Sequence, residues 1–292
     1  MSDATQTSDV TGRRVLVTGA SRGFGFAVTR ELLRSQASVM LSARSANDLA
    51  DARGSLVREF PDATVATCAC DVSRPDDVAA LSAATERELG GLDVLVCNAG
   101  IYGPKGPIES TDLVAWSHAL AVNVTGVVAC AAAFSELLGA SARGKVVILS
   151  GGGATKPMPF LSAYAASKAA VVRFGETLAE EWKTRGIDVN MVAPGALNTR
   201  LLDEIIEAGP EAVGEAFYAA SLKQQASGGT PMERGARLCA YLASRVSDGI
   251  TGRLISAVWD PWEQLADHAQ ALKDSDIYTL RRIVPEDRGL AW

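Results

Sequence analysis

Between residues 13 and 257 short β-branched runs alternate with longer segments of helical periodicity, and few folds accept that order. Strand-like runs fall near residues 13–18, 38–42, 64–70, 93–97, 145–150, 187–192 and 253–257, with helical patterns between them. A strand followed by a helix-length crossover comes back parallel to itself, so the alternation predicts parallel pairing throughout. One doubly wound α/β domain over residues 12–258 is expected, with a seven-stranded parallel sheet and helices on both faces. The rhythm breaks at residues 194–230, where Pro194-Gly195 leads into two short acidic helical patterns and then Ser227-Gly-Gly229. An excursion of that length reads as a lid or substrate loop. Residues 259–292 hold a predicted helix at 262–273 but too little chain for a core, and form a C-terminal extension. Residues 1–11 carry Ser, Asp, Thr and Gln without an apolar run, and are expected to be a disordered leader rather than a signal peptide or a packed element.

The segment Thr18-Gly-Ala-Ser-Arg-Gly-Phe-Gly25 directly follows the first strand and opens the first helix. Glycines let the backbone turn tightly and approach a pyrophosphate, whose charge is met by the free amides of the helix N-terminus. In this setting the spacing predicts a Rossmann-type dinucleotide site cradled by Gly19, Ser21, Arg22, Gly23, Phe24 and Gly25. The second strand ends Leu41-Ser-Ala-Arg44, with no carboxylate at Ala43 to bond both ribose hydroxyls. Arg44, joined by Arg22, suits a 2′-phosphate, so NADP is the expected cofactor. NAD is the alternative, with Arg44 stacked on the adenine or turned to solvent.

A net charge of −6 without a basic stripe argues against a nucleic-acid partner. Five cysteines (Cys68, Cys70, Cys97, Cys130 and Cys239) sit in apolar runs and read as small buried hydrophobes in a reducing compartment. His118 and His268 have no ligand spacing, so no metal is expected. No run reads as about 18 continuous uncharged apolar residues, so a cytoplasmic protein with no membrane partner is expected.

Tyr164 and Lys168 stand four residues apart in a segment of good helix formers, which places them on one helix face. A cation beside a phenol favours the phenolate, drawing its pKa down from about 10 toward the range of a general acid or base. Taken in order with the glycine loop, these motifs resemble the short-chain dehydrogenase/reductase family, in its Tyr-x-x-x-Lys branch. The resemblance implies that Asp71 and Val72 hold the adenine and that Asn98, Ala99 and Gly100 stand beside the cofactor. It also implies that Pro194, Gly195 and Thr199 wrap the nicotinamide amide. Asn123, within Val122-Asn-Val-Thr-Gly126, matches the helix asparagine of the family's catalytic tetrad, expected to hold a water in a proton relay. Tyr164 would exchange a proton with the substrate oxygen, while Lys168 lowers its pKa and bonds the nicotinamide ribose. Members of the family commonly pair through the helices represented here by 111–137 and 160–184, so a homodimer or homotetramer is expected.

The family's serine, about thirteen residues before the tyrosine, falls on Gly151 in the run Leu149-Ser150-Gly-Gly-Gly-Ala154. A one-residue slip in a regular strand turns a side chain to the other face. Two accounts stand: the glycines bend the strand end and re-aim Ser150 as a catalytic residue, or water, a backbone amide or Thr155 does its work. Tyr102, Lys105, Met158 and Phe160, in loops near the nicotinamide, are candidates either for contact with a small-molecule substrate or for a structural role. In the tail, Trp259, Trp262, Arg281 and Arg282 either cap a polar ligand or pack at a subunit interface. The sequence therefore points to an oxidoreductase moving hydride between NADP(H) and a secondary alcohol or ketone. An epimerase with retained cofactor and a non-catalytic dinucleotide sensor are the alternatives.

Overall fold

The computed structural model describes residues 9–291. Seven strands, β1 (Arg14–Thr18), β2 (Ser38–Ala43), β3 (Val65–Ala69), β4 (Val94–Cys97), β5 (Gly144–Leu149), β6 (Ile187–Ala193) and β7 (Arg253–Ser256), form one sheet in the order β3-β2-β1-β4-β5-β6-β7. Every pairing is parallel, as the alternation predicts. The order reverses between β1 and β4, and in doubly wound sheets that crevice, at the carboxyl ends of the strands, is where ligands bind.

The sheet is buried on both faces because successive strand residues face opposite sides. In β1, Val15 and Val17 enter one core with α1 (Gly23–Arg34), α2 (Ala46–Glu59) and α9 (Met232–Ala243), while Leu16 enters the other. That second core is closed by α3 (Pro75–Leu89), α5 (Gly126–Gly139) and α6 (Ser162–Trp182). Helix ends follow local chemistry. Ser45 Oγ accepts from the Asp48 amide at 3.1 Å to cap α2, and Pro75 starts α3, which ends at the left-handed Gly90.

The run from α4 (Leu113–Leu120) through a π-helical segment (Ala121–Thr125) into α5 corrects one expectation: it is long and apolar enough to cross a membrane by length and composition. Its Val122, Val127, Cys130 and Phe134 pack the second core, and Leu113, Val114 and Val128 stay exposed. The excursion after β6 contains α7 (Arg200–Val213), kinked at Gly209-Pro210, and α8 (Glu215–Ser227).

Residues 1–8 of the expected leader lie outside the described residues, but Val10 is fully buried in the first core. The turn at Gly12 (φ +72°) folds it back, with the Arg13 amide donating to the Val10 carbonyl at 2.9 Å, so packing begins before residue 12. The tail is tied to its own chain. Trp262 is buried beside Tyr241, the Leu254 amide of edge strand β7 donates to the Tyr278 carbonyl at 2.8 Å, and Arg281 pairs with Asp276 and Asp287. Trp259, by contrast, is exposed.

At the opposite end of the sheet from the crevice, Asp93 ties three elements together. Its carboxylate accepts from the Arg14 amide at 2.9 Å, from the Arg14 guanidinium through Nε and Nη2, and from Ser141 Oγ at 2.8 Å. Burial works to raise its pKa, but these hydrogen bonds prevail and hold it at about 2. A carboxyl depressed from about 3.9 to about 2 contributes about 2 kcal/mol above pH 4, lost as pH falls through its folded value. Asp93→Asn is therefore expected to be about 2 kcal/mol less stable at pH 7, with the two proteins converging between about pH 4 and pH 2. Denaturant titrations across that range are the check, and a gap that stays constant into acid contradicts the assignment.

Candidate active site

A cleft of about 620 Å³ opens over the carboxyl ends of β1, β2 and β4. Gly19, Ser21, Arg22, Gly23, Phe24, Gly25, Arg44, Asp71, Val72, Asn98, Ala99, Gly100 and Thr199 all line it. The glycines are required by geometry. Gly19 has φ +64°, and a Cβ there would lie 2.9 Å from Ala99 Cα, while a Cβ on Gly25 would strike Gly19 O and Asn98 Nδ2. No side chain caps the N-terminus of α1, so its first amides are free toward an anion. A Cβ at Gly23 would approach Thr199 Cγ2 at 3.8 Å, so the start of α7 faces the glycine loop. These features fit a dinucleotide, with its pyrophosphate at the glycine loop.

At the β3 end of the cleft, burial works to raise the Asp71 carboxyl, but hydrogen bonds from the Ser73 hydroxyl (2.6 Å) and amide (3.0 Å), with Arg44 and His118 nearby, hold it below the ordinary value. Arg44 is exposed at the mouth and has no ion-pair partner among the described residues; Arg22 lies 4.0 Å from Asp48. Asp48, Cys70, Arg200 and Glu204 also line the cleft and were missed by sequence reasoning. The Arg200–Glu204 pair, four residues apart on a helix, was the one available signal. Pro194 and Gly195 are absent from the cleft wall. A Cβ on Gly195 (φ +99°) would meet Val258 and Thr230, so this turn shapes the path that delivers Thr199.

At the other end, Lys168 is buried and donates from Nζ to the Leu149 carbonyl at 2.8 Å, 5.5 Å from the Tyr164 ring centroid. A Cβ on Gly100 would lie 3.6 Å from Lys168 Nζ and 3.3 Å from Asn123 Oδ1, which connects this end to the dinucleotide cleft. Asn123 sits in the π-helical segment, a distortion common at functional positions. Its Oδ1 accepts from the Ile101 amide at 2.9 Å, and its Nδ2 donates to the Ile101 carbonyl at 2.8 Å and to Ser167 Oγ at 2.9 Å. The side chain thus spends both N–H groups on protein and clamps the loop after β4.

Two expectations change here. Burial raises the Tyr164 phenol, and the neighbouring Tyr102 adds to the rise, so the cation one turn away does not lower it in the protein alone. Burial also draws Lys168 down to about 8, because both groups leave water together. The second change concerns Ser150. Its hydroxyl donates to the Lys168 carbonyl at 3.4 Å, while a Cβ at Gly151 would lie 3.0 Å from Tyr164 Oη. The ungapped register survives into the strand end, so Ser150 is not re-aimed and Thr155 lies exposed. Gly153 explains part of the glycine run, since a Cβ there would meet Ala165 Cα at 2.9 Å and Met158 Sδ at 3.0 Å.

A cleft with this loop, with a buried lysine against its Gly100 wall and a half-buried tyrosine one helical turn from that lysine, defines a nicotinamide-dependent oxidoreductase. The family model for short chain dehydrogenases matches residues 13–209. Glucose 1-dehydrogenase from Gluconobacter oxydans (strain 621H) is 41% identical over 193 residues, which are 64% of this chain and 70% of that relative. A short-chain oxidoreductase from Pseudomonas aeruginosa PAO1, solved with NADPH and containing an atypical catalytic center, is 29% identical with a TM-score of 0.75, over 85% of this chain and 97% of that one. L-sorbose reductase from Gluconobacter frateurii, solved with NADPH and L-sorbose, is 26% identical with a TM-score of 0.76, over 86% and 96%. The chain belongs to the short-chain dehydrogenase/reductase family and is an NAD(P)-dependent oxidoreductase.

Proposed function

We propose that the protein interconverts a secondary alcohol and a ketone on a small polar molecule, using NADP(H), with Tyr164 as general acid and base. The observation that carries this reading is the Tyr164 hydroxyl. It has no hydrogen-bond partner among the described residues and stands one helical turn from Lys168, whose Nζ lies against Gly100 of the cleft wall. When bound, the cofactor supplies or accepts the hydride at its nicotinamide ring. In reduction the carbonyl carbon gains that hydride and its oxygen takes the proton from Tyr164 Oη, yielding the alcohol. A phenol held neutral by burial is suited to give that proton, and Lys168, cationic below about 8, stabilises the tyrosinate left behind. Sugar-directed relatives support a polar substrate.

NADP is favoured by Ala43 and Arg44 at the end of β2, and by the NADPH held in related structures. A homodimer or homotetramer, tested by mass in solution, is supported by the exposed Leu113, Val114 and Val128 on the long apolar helix.

Tyr164→Phe is expected to lower kcat at least about 100-fold on any ketone the wild type reduces, without loss of NADPH affinity. Retained turnover contradicts the acid–base assignment. Arg44→Ala is expected to weaken NADPH binding about 10- to 100-fold, as loss of a charge-assisted contact does, while NADH binding stays within about two-fold. Equal losses for both dinucleotides in calorimetry rule out 2′-phosphate recognition by Arg44.

A further inference from the structure

Gly151 leaves the reacting end of the site one hydroxyl short, and its own backbone gives no reason for a glycine. With φ 176° and ψ 179° it is extended, a conformation open to any residue. A side chain there would press on Tyr164 Oη, which its Cβ would approach to 3.0 Å.

A second phenol stands beside the same tyrosine. The Tyr102 ring centroid lies 4.5 Å from that of Tyr164, the planes tilted by 57°. Its position is fixed from both sides. On one side Asn123 grips both the amide and the carbonyl of Ile101. On the other, Gly103 has φ +74°, and a Cβ there would lie 2.6 Å from Ala119 Cβ and 3.3 Å from Ala163 Cβ, so the loop is pressed onto α4 and α6. The lid completes the seat: Lys105 Nζ lies 5.6 Å from the Tyr102 ring centroid and 3.4 Å from Glu204 of α7.

We infer that Tyr102 is a catalytic residue, its hydroxyl donating the second hydrogen bond to the reacting oxygen in the place a serine at position 151 would take. The inference rests on the acid–base reading of Tyr164 given above. Burial, reinforced by Glu204, pushes Tyr102 up to about 12. It therefore keeps its proton through the working range, donates without ionising, and leaves the transferred proton to Tyr164. A donor held in place before reaction stabilises the developing oxyanion without the cost of reorganisation.

The test compares Tyr102→Phe, Tyr164→Phe, Gly151→Ser and the double variants Tyr102→Phe/Gly151→Ser and Tyr102→Phe/Gly151→Ala on small ketones and ketoses with NADPH, reading kcat, KM and NADPH affinity. Tyr102→Phe is expected to lose about 10- to 100-fold in kcat with KM and NADPH affinity within about three-fold, and serine at 151 to recover at least part of that loss. Recovery by serine but not by alanine at 151 separates a missing hydroxyl from altered packing. A Tyr102→Phe kcat within about two-fold of wild type, alongside an inactive Tyr164→Phe, overturns this inference alone. A kcat loss that serine does not recover, while Gly151→Ser alone stays as active as wild type, overturns it as well, marking Tyr102 as a packing residue. Full activity in Tyr164→Phe removes the underlying reading and this inference with it.

Discussion

The Asn98 side chain holds the glycine loop to the end of β4, and the geometry of both halves of the site follows from that junction. Its Nδ2 donates to the Thr18 carbonyl at 2.9 Å and the Gly19 carbonyl at 3.0 Å, while Thr18 Oγ1 accepts from the Asn98 and Ala99 amides at 3.0 and 3.1 Å. The contact is possible because neither Gly19 nor Gly25 carries a Cβ. It seals the crevice where strand order reverses and aims the uncapped amides of α1 into the cleft. From the same residue the chain runs on through Gly100 and Ile101 to Tyr102, so the glycine loop and the tyrosine pair share one anchor.

Beyond that anchor the site works by taking polar groups out of water under control. Lys168 is buried yet bonded to Leu149 O, and Asn123 is buried with three hydrogen bonds. Buried polar groups so satisfied are rigid, and rigid dipoles serve a developing charge better than mobile ones. The phenols are the exceptions. Tyr102 and Tyr164 are half-buried and without hydroxyl partners among the described residues, which leaves them available to a substrate oxygen.

Much of this was legible in the sequence, for reasons that differ by element. The seven strands and their parallel pairing followed from periodicity, because a half- or fully buried strand must show it. Gly19 was placed in the cleft by the glycine spacing between a strand and a helix, and Asp71 and Asn98 by the family resemblance; all three line it. Ser150 was not decidable, since a strand terminus followed by three glycines admits two paths and only packing of Gly153 on α6 selects one. Tyr102 was named only as one of four loop candidates for substrate contact; its approach to Tyr164 depends on the Asn123 clamp and on the contact of Gly103 with α4 and α6, neither of which has a local signature. The helical run 113–139 carries polar Asn123 and Thr125 within an apolar sequence, and which part of its apolar surface joins the second core shows only in the packing.

The central claim, that this cleft delivers hydride to a carbon whose oxygen is protonated at Tyr164, is tested most directly with NADPH bearing deuterium at one C4 position. With a reducible ketone, one of the two C4 labels is predicted to appear entirely on the carbinol carbon of the product. The other is predicted to remain on the cofactor. Product whose new carbon-bound hydrogen comes from solvent, with either label, would contradict direct transfer within the site.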